Sequence, residues 1–162
     1  MASTLDLLKR LNEHAVEYVL VGGVAAGVHG SQLVTADVDV CAPLDGPNPA
    51  KIVAALSGLQ PKFRMTPDRQ PLPMDPGNLA GFKNLYLETD LGQLDIFSEI
   101  AGVGDYAAVA LRTIMLDLGG AICRVLDLDT LIQSQKALGR QRDLQAVIEL
   151  EAIRQRVKLN EP

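Results

Sequence analysis

The chain has no tryptophan, and only three tyrosines and three phenylalanines among 162 residues. That leaves no aromatic platform for stacking single-stranded nucleic acid. Two cysteines, Cys41 and Cys123, make neither a disulfide framework nor a zinc site by themselves. No apolar run approaches the ~18–20 residues that a membrane span takes. The opening MASTLDLLKRLNEH reads as an amphipathic helix rather than a targeting leader. These absences point to a protein of the reducing cytoplasm that does not enter a membrane. Basic residues are also scarce: 15 Lys and Arg stand against 20 Asp and Glu, a net charge of −5. Such a balance excludes general or sequence-specific coating of duplex DNA, whose affinity rests on neutralising phosphates.

What is present is an ordinary globular composition, 48% hydrophobic and 22% charged, in a length that suits one domain. The charge is uneven. Residues 1–100 hold 7 basic and 12 acidic side chains, and residues 101–162 hold 8 of each. Apolar spacing predicts helices near 4–15, 24–30, 50–59, 105–111, 129–138 and 143–157. The last carries the stripe Leu144, Val147, Ile148, Leu150 and Ile153, and Asp129 is the expected cap of the one before it. Short strands are predicted at 18–21, 36–41 and 121–126, a hairpin at 84–97 with Gly92 in its turn, and a further strand near 63–66. The segment 61–81 contains five prolines and reads as a long connector of the kind that closes over ligands. Hairpin-joined strands exclude a purely parallel sheet. The expected class is therefore α/β (α+β): a short mixed sheet with helices packed on it. A core over 1–128 would be followed by a helical extension, 129–162, packed on that core.

Three features carry chemistry. Gly22-Gly23 joins a strand to a helix, where a missing side chain admits a phosphate to backbone N–H groups; no Gly-Lys-Ser/Thr follows, so this is no P-loop. Asp37-Val38-Asp39 puts two carboxylates on one face of a strand, where like charges call for a compensating cation. Asp95 interrupts a second apolar strand. Three carboxylates from two strands form the hard oxygen site that Mg²⁺ prefers, and two metals in such a site clamp an in-line phosphoryl displacement.

The order Gly22-Gly23, then Asp37-x-Asp39 among valines, then a separate strand Asp95 resembles the nucleotidyltransferase superfamily that includes DNA polymerase beta. Within it, Tyr18 to Gly30, Thr35 to Asp39, and Asp129 to Lys136 followed by Gly-Arg-x-Arg-Asp143 look like the small toxin-type enzymes of abortive-infection and toxin–antitoxin systems. The likeness spans roughly residues 15–150. It implies the nucleotidyltransferase fold and transfer of a nucleoside monophosphate from an NTP, ATP among the candidates, to an acceptor hydroxyl on an antibiotic, a tRNA or a protein. It assigns Mg²⁺ or Mn²⁺ to Asp37, Asp39 and Asp95, which would also be the catalytic residues, and nucleotide phosphate to Gly22, Gly23, Thr35 and Lys136. A partner antitoxin is implied as well. One departure is Leu33, where relatives often carry Arg. The alternative reading is a catalytically silent module of the same fold, half of a toxin–antitoxin pair. His29 is expected to pack and hydrogen-bond beside the loop, and Cys41 to be a small buried residue.

Overall fold

The computed structural model describes residues 2–32 and 37–161. Its centre is a short all-buried strand, β1 (Val19–Val21), a β-branched run that ends where Gly22 starts a short helix, α2 (Gly22–Val28). On one side β1 pairs antiparallel with β2 (Asp37–Cys41), and β2 runs parallel to β5 (Gly92–Phe97). The predicted hairpin is real: β4 (Asn84–Thr89) pairs antiparallel with β5 around the two-residue tip Asp90-Leu91. Thr89 braces that tip, its hydroxyl donating to Gly92 O and accepting from Leu91 N–H. The two-residue strand β3 (Lys62–Phe63) adds to β4. On its other side β1 runs parallel to β9 (Ile122–Leu126), which pairs with the edge strand β8 (Thr113–Asp117). The result is a mixed seven-stranded sheet, β3-β4-β5-β2-β1-β9-β8, in the α/β class expected.

Alternation assigns the two faces. Val38, Val40, Leu85, Leu87, Leu94 and Ile96 are buried on one. The packed pair α1 (Ala2–Glu13) and α3 (Asn48–Leu56) supplies Leu7, Leu8, Leu11, Ile52 and Leu56 to the same core. Arg10 ties the two helices, donating to the carbonyls of Ala55 and Ser57 at the end of α3, where unpaired carbonyls need donors. Asn48 is buried with its amide satisfied: it accepts from Glu17 N–H and donates to the carbonyls of Glu17 and Pro43.

Several expectations are corrected. The connector 61–81 folds back on itself, and the strand expected near 63–66 is only the two residues of β3. Phe63 N–H donates to Gln70 O and Leu72 N–H to Pro61 O, Leu72 and Leu79 are buried, and a turn of helix, α4 (Pro76–Leu79), starts at an Asp75 cap. The strand β8 and the two-residue ribbon of β6 (Glu99–Ile100) with β7 (Gly104–Asp105) have no clear pattern in the sequence. Ile114 and Met115 of β8 are both exposed, so the alternation that marks a half-buried strand is missing. After α5 (Tyr106–Ala110), the helix α6 (Leu128–Leu138) is capped by Asp127, whose carboxylate accepts from Thr130 N–H. Asp129 instead pairs with Arg154, 3.2 Å away. Gly139, at φ +65°, closes α6. In α7 (Gln141–Leu159), Val147, Leu150 and Ile153 are buried, whereas Leu144 and Ile148 face solvent. No helix among the described residues is long and apolar enough to cross a membrane.

Candidate metal centre

The sheet register builds the site. Asp39 lies opposite Val21 on β1 and opposite Asp95 on β5, and Asp95 lies opposite Tyr86 on β4. Arg64, the residue after β3, continues the row, donating its backbone N–H to Tyr86 O at 3.0 Å. Arg64, Tyr86, Asp95 and Asp39 therefore share one line across four neighbouring strands, and Asp37 stands two residues before Asp39 on the same face. Carboxylate oxygens of Asp37, Asp39 and Asp95 all lie within 4.8 Å of one another. The sequence prediction that these three converge is met.

Gly22 explains why the β1–α2 junction is glycine. It adopts φ +65°, and a Cβ built there would stand 2.2 Å from Asp39 Oδ2. Asp39 rests against bare backbone, and a side chain at position 22 would force the carboxylate or the turn to shift. Gly23 follows as the second residue of α2, half-buried.

Burial and crowding set the electrostatics. The Asp39 carboxyl is pushed up to about 7, first by burial and then by the charges of Asp95 and Asp37, with Arg64 and Arg142 pulling the other way. Asp95, 4% exposed, is also raised, because burial outweighs the hydrogen bonds from Arg64. This is the signature of a site short of positive charge.

The cation that is present, Arg64, was not singled out from the sequence. Its Nε donates to Asp95 Oδ1 at 3.1 Å and its Nη2 to Asp95 Oδ2; Nη2 also lies 3.7 Å from Asp37 Oδ2. Its guanidinium carbon is 5.6 Å from the centre of the Tyr86 ring, within cation–π range. The available signal was pairing: had the strand at 63–66 been aligned with 84–88, Arg64 would have fallen beside Tyr86.

The other predicted residues are placed as follows. Lys136 lies on α6 with Nζ 2.7 Å from Glu151 Oε1 on α7, so its charge is already paired. Thr35, like Leu33, lies outside the described residues. Just before them, Glu149 of α7 accepts from the Ser31 hydroxyl and from Gln32 N–H, fixing the exit of α2. His29 has the packing role expected, with Nε2 2.8 Å from Leu126 O. Cys41 is fully buried and its thiol is pushed up to about 12, mainly by burial, which favours the neutral thiol of a small core residue. The positive charge of Arg142, in the first turn of α7, also acts on Asp39.

Comparison with known proteins agrees with the fold. A crystal structure from Thermotoga maritima, described as a "putative nucleotidyltransferase", superposes with a TM-score of 0.56 over 97% of this chain and 91% of that one, at 17% identity. The chain has that nucleotidyltransferase-like fold. No protein-family model and no curated protein matches it.

Proposed function

We propose that the protein is a divalent-metal-dependent nucleotidyltransferase, moving a nucleoside monophosphate from an NTP to an acceptor hydroxyl. The acceptor oxygen bonds to the α-phosphorus, the bond from that phosphorus to the β-bridging oxygen breaks, pyrophosphate leaves, and the hydroxyl proton is released. The observation that carries this reading is the cluster of Asp37, Asp39 and Asp95 within 4.8 Å on adjacent strands of a nucleotidyltransferase-like sheet. The donor set fits the metal: three hard carboxylates, two of them raised by burial and mutual repulsion, are what Mg²⁺ or Mn²⁺ binds. Bound there, the metal would neutralise charge on the phosphates undergoing transfer. The residues Asp37 and Asp39 would hold it from β2, and Asp95 from β5. Gly22 leaves room for the Asp39 carboxylate, and the backbone N–H groups that open α2 suit a phosphate oxygen.

The finer reading, a cytoplasmic toxin-type enzyme with a cognate antitoxin that uses ATP or another NTP on an antibiotic, tRNA or protein acceptor, is supported by the motif spacing of Tyr18–Gly30 and Asp37–Asp39. Incubation with each α-labelled NTP and Mg²⁺, in separate reactions with cell RNA, protein and aminoglycosides, tests both levels. Label transferred to one acceptor class, abolished by chelation, is the expected result; no transfer from any NTP to any acceptor counts against an enzyme. One observation favours the second reading, a silent module: Arg64 engages both oxygens of Asp95, as a permanent substitute for metal would.

A further inference from the structure

The carboxylate cluster contains its own cation, and the way that cation is held separates a permanent plug from an exchangeable one. Arg64 is anchored through its backbone, by the N–H bond to Tyr86 O, so its long side chain can move without disturbing β3. That side chain has three attachments at the site: the two-pronged contact with Asp95, the longer one with Asp37, and the Tyr86 ring. Its remaining contact, Nη1 with Met65 Sδ at 3.2 Å, is to a weak acceptor. Among the described residues, its ion-pair partners are the buried Asp95 and the part-exposed Asp37.

Both Asp95 oxygens are occupied by N–H donors. A divalent cation ligated by Asp95 bonds one of these same oxygens, and the guanidinium charge beside them opposes a second positive group there. The guanidinium fork that fits a carboxylate also fits two oxygens of a phosphate. We propose that Arg64 is an exchangeable counter-ion: it holds the cluster together without metal, gives up Asp95 when a divalent cation binds, and then engages phosphate oxygens of the incoming polyphosphate. The inference rests on the metal-site reading above. It gives Arg64 effects of opposite sign, weakening the binding of metal alone and strengthening the retention of polyphosphate with metal.

The test uses the full chain and no turnover. Mn²⁺ binding is followed by electron paramagnetic resonance for the wild type, Arg64→Gln, Arg64→Lys and Arg142→Gln, with circular dichroism to verify folding. Retention of inorganic tripolyphosphate at saturating Mn²⁺ is then measured by equilibrium dialysis. Arg64→Gln should bind Mn²⁺ roughly tenfold or more tightly, the scale of a lost charged hydrogen-bond pair, and retain tripolyphosphate about tenfold less well. Arg64→Lys keeps the charge without the fork and should fall between it and the wild type; it serves alone if the Gln variant does not fold. Arg142→Gln removes a charge that reaches Asp39 through space and should change Mn²⁺ affinity less than about threefold. Equal Mn²⁺ affinity in wild type and the Arg64 variants, or as large a gain in Arg142→Gln, overturns the exchange. Tripolyphosphate retained equally by Arg64→Gln overturns its second half. If neither wild type nor Arg64→Gln binds Mn²⁺, the metal site itself is refuted, and the inference with it.

Discussion

Two charged regions of this molecule are built on opposite plans. Between α6 and α7 the charges alternate and close on themselves: Lys136 pairs with Glu151, Arg154 with Glu151 and Asp129, and Arg140 with Asp143. Asp143 is buried, yet its carboxyl stays below the usual range because the Arg140 side chain donates to both its oxygens. At the sheet, three carboxylates share one guanidinium, and two of them are raised. The first region has what it needs from its own chain and makes structure. The second is left short of positive charge, and this shortage, rather than the presence of acids, makes it the candidate for a divalent cation.

The contrast is broken most severely at Asp39. Asp39→Asn should abolish Mg²⁺-dependent transfer, with a rate loss on the order of a thousandfold or more, because positioning and charge neutralisation supply most of the rate in phosphoryl chemistry. Without metal the same variant should melt at or above the wild-type temperature at neutral pH, since a crowded charge is gone. Transfer assays and thermal melts check the two halves.

Next in size is Gly22→Ala. A side chain at φ +65° that meets Asp39 Oδ2 at 2.2 Å must displace the carboxylate or the turn, at a cost of about 2–4 kcal/mol in stability. Chemical denaturation measures it; Mn²⁺ affinity should fall with it.

The pH dependence sharpens the comparison further. Asp39 binds its proton more tightly folded than unfolded, so its contribution is stabilising below the ordinary carboxylate range, near 4, and is lost as pH rises through about 7. Metal-free protein should therefore lose up to a few kcal/mol across that window, and Asp39→Asn should lose less. Melts from pH 4 to 8 in chelator, compared between the two proteins, read this directly.

Smaller effects belong to the balanced region. Asp143→Ala removes the third-position carboxylate that accepts from the Arg140 N–H at the start of α7, together with its pair with the Arg140 side chain, and should cost about 1–2 kcal/mol by denaturation.

Much of this was legible in the sequence because it lies in local pattern. Strand periodicity gave β2, β4 and β5, glycine gave the ends of α2 and α6, and the three aspartates stood out as acids in apolar strands. What was not legible is non-local. Arg64 became visible only through the register of β3 on β4, which no local signal sets when a strand is two residues long. β8 lacked alternation because an edge strand need not bury a face. Gly22 was readable as a turn, but its contact with Asp39 depends on β1 and β2 being neighbours. The carboxylates of Asp127 and Asp129 are equivalent as caps by composition, and Arg154 of α7 engages one of them.

Anomalous diffraction from crystals grown with Mn²⁺ shows whether Asp37, Asp39 and Asp95 together hold a divalent metal from which Arg64 withdraws. An anomalous peak is expected within about 2.0–2.6 Å of carboxylate oxygens from all three aspartates, allowing for an ion of Mg²⁺ to Ca²⁺ size, with the Arg64 guanidinium off Asp95. No peak at the three carboxylates at saturating Mn²⁺, with Arg64 still bound to both Asp95 oxygens, would contradict it.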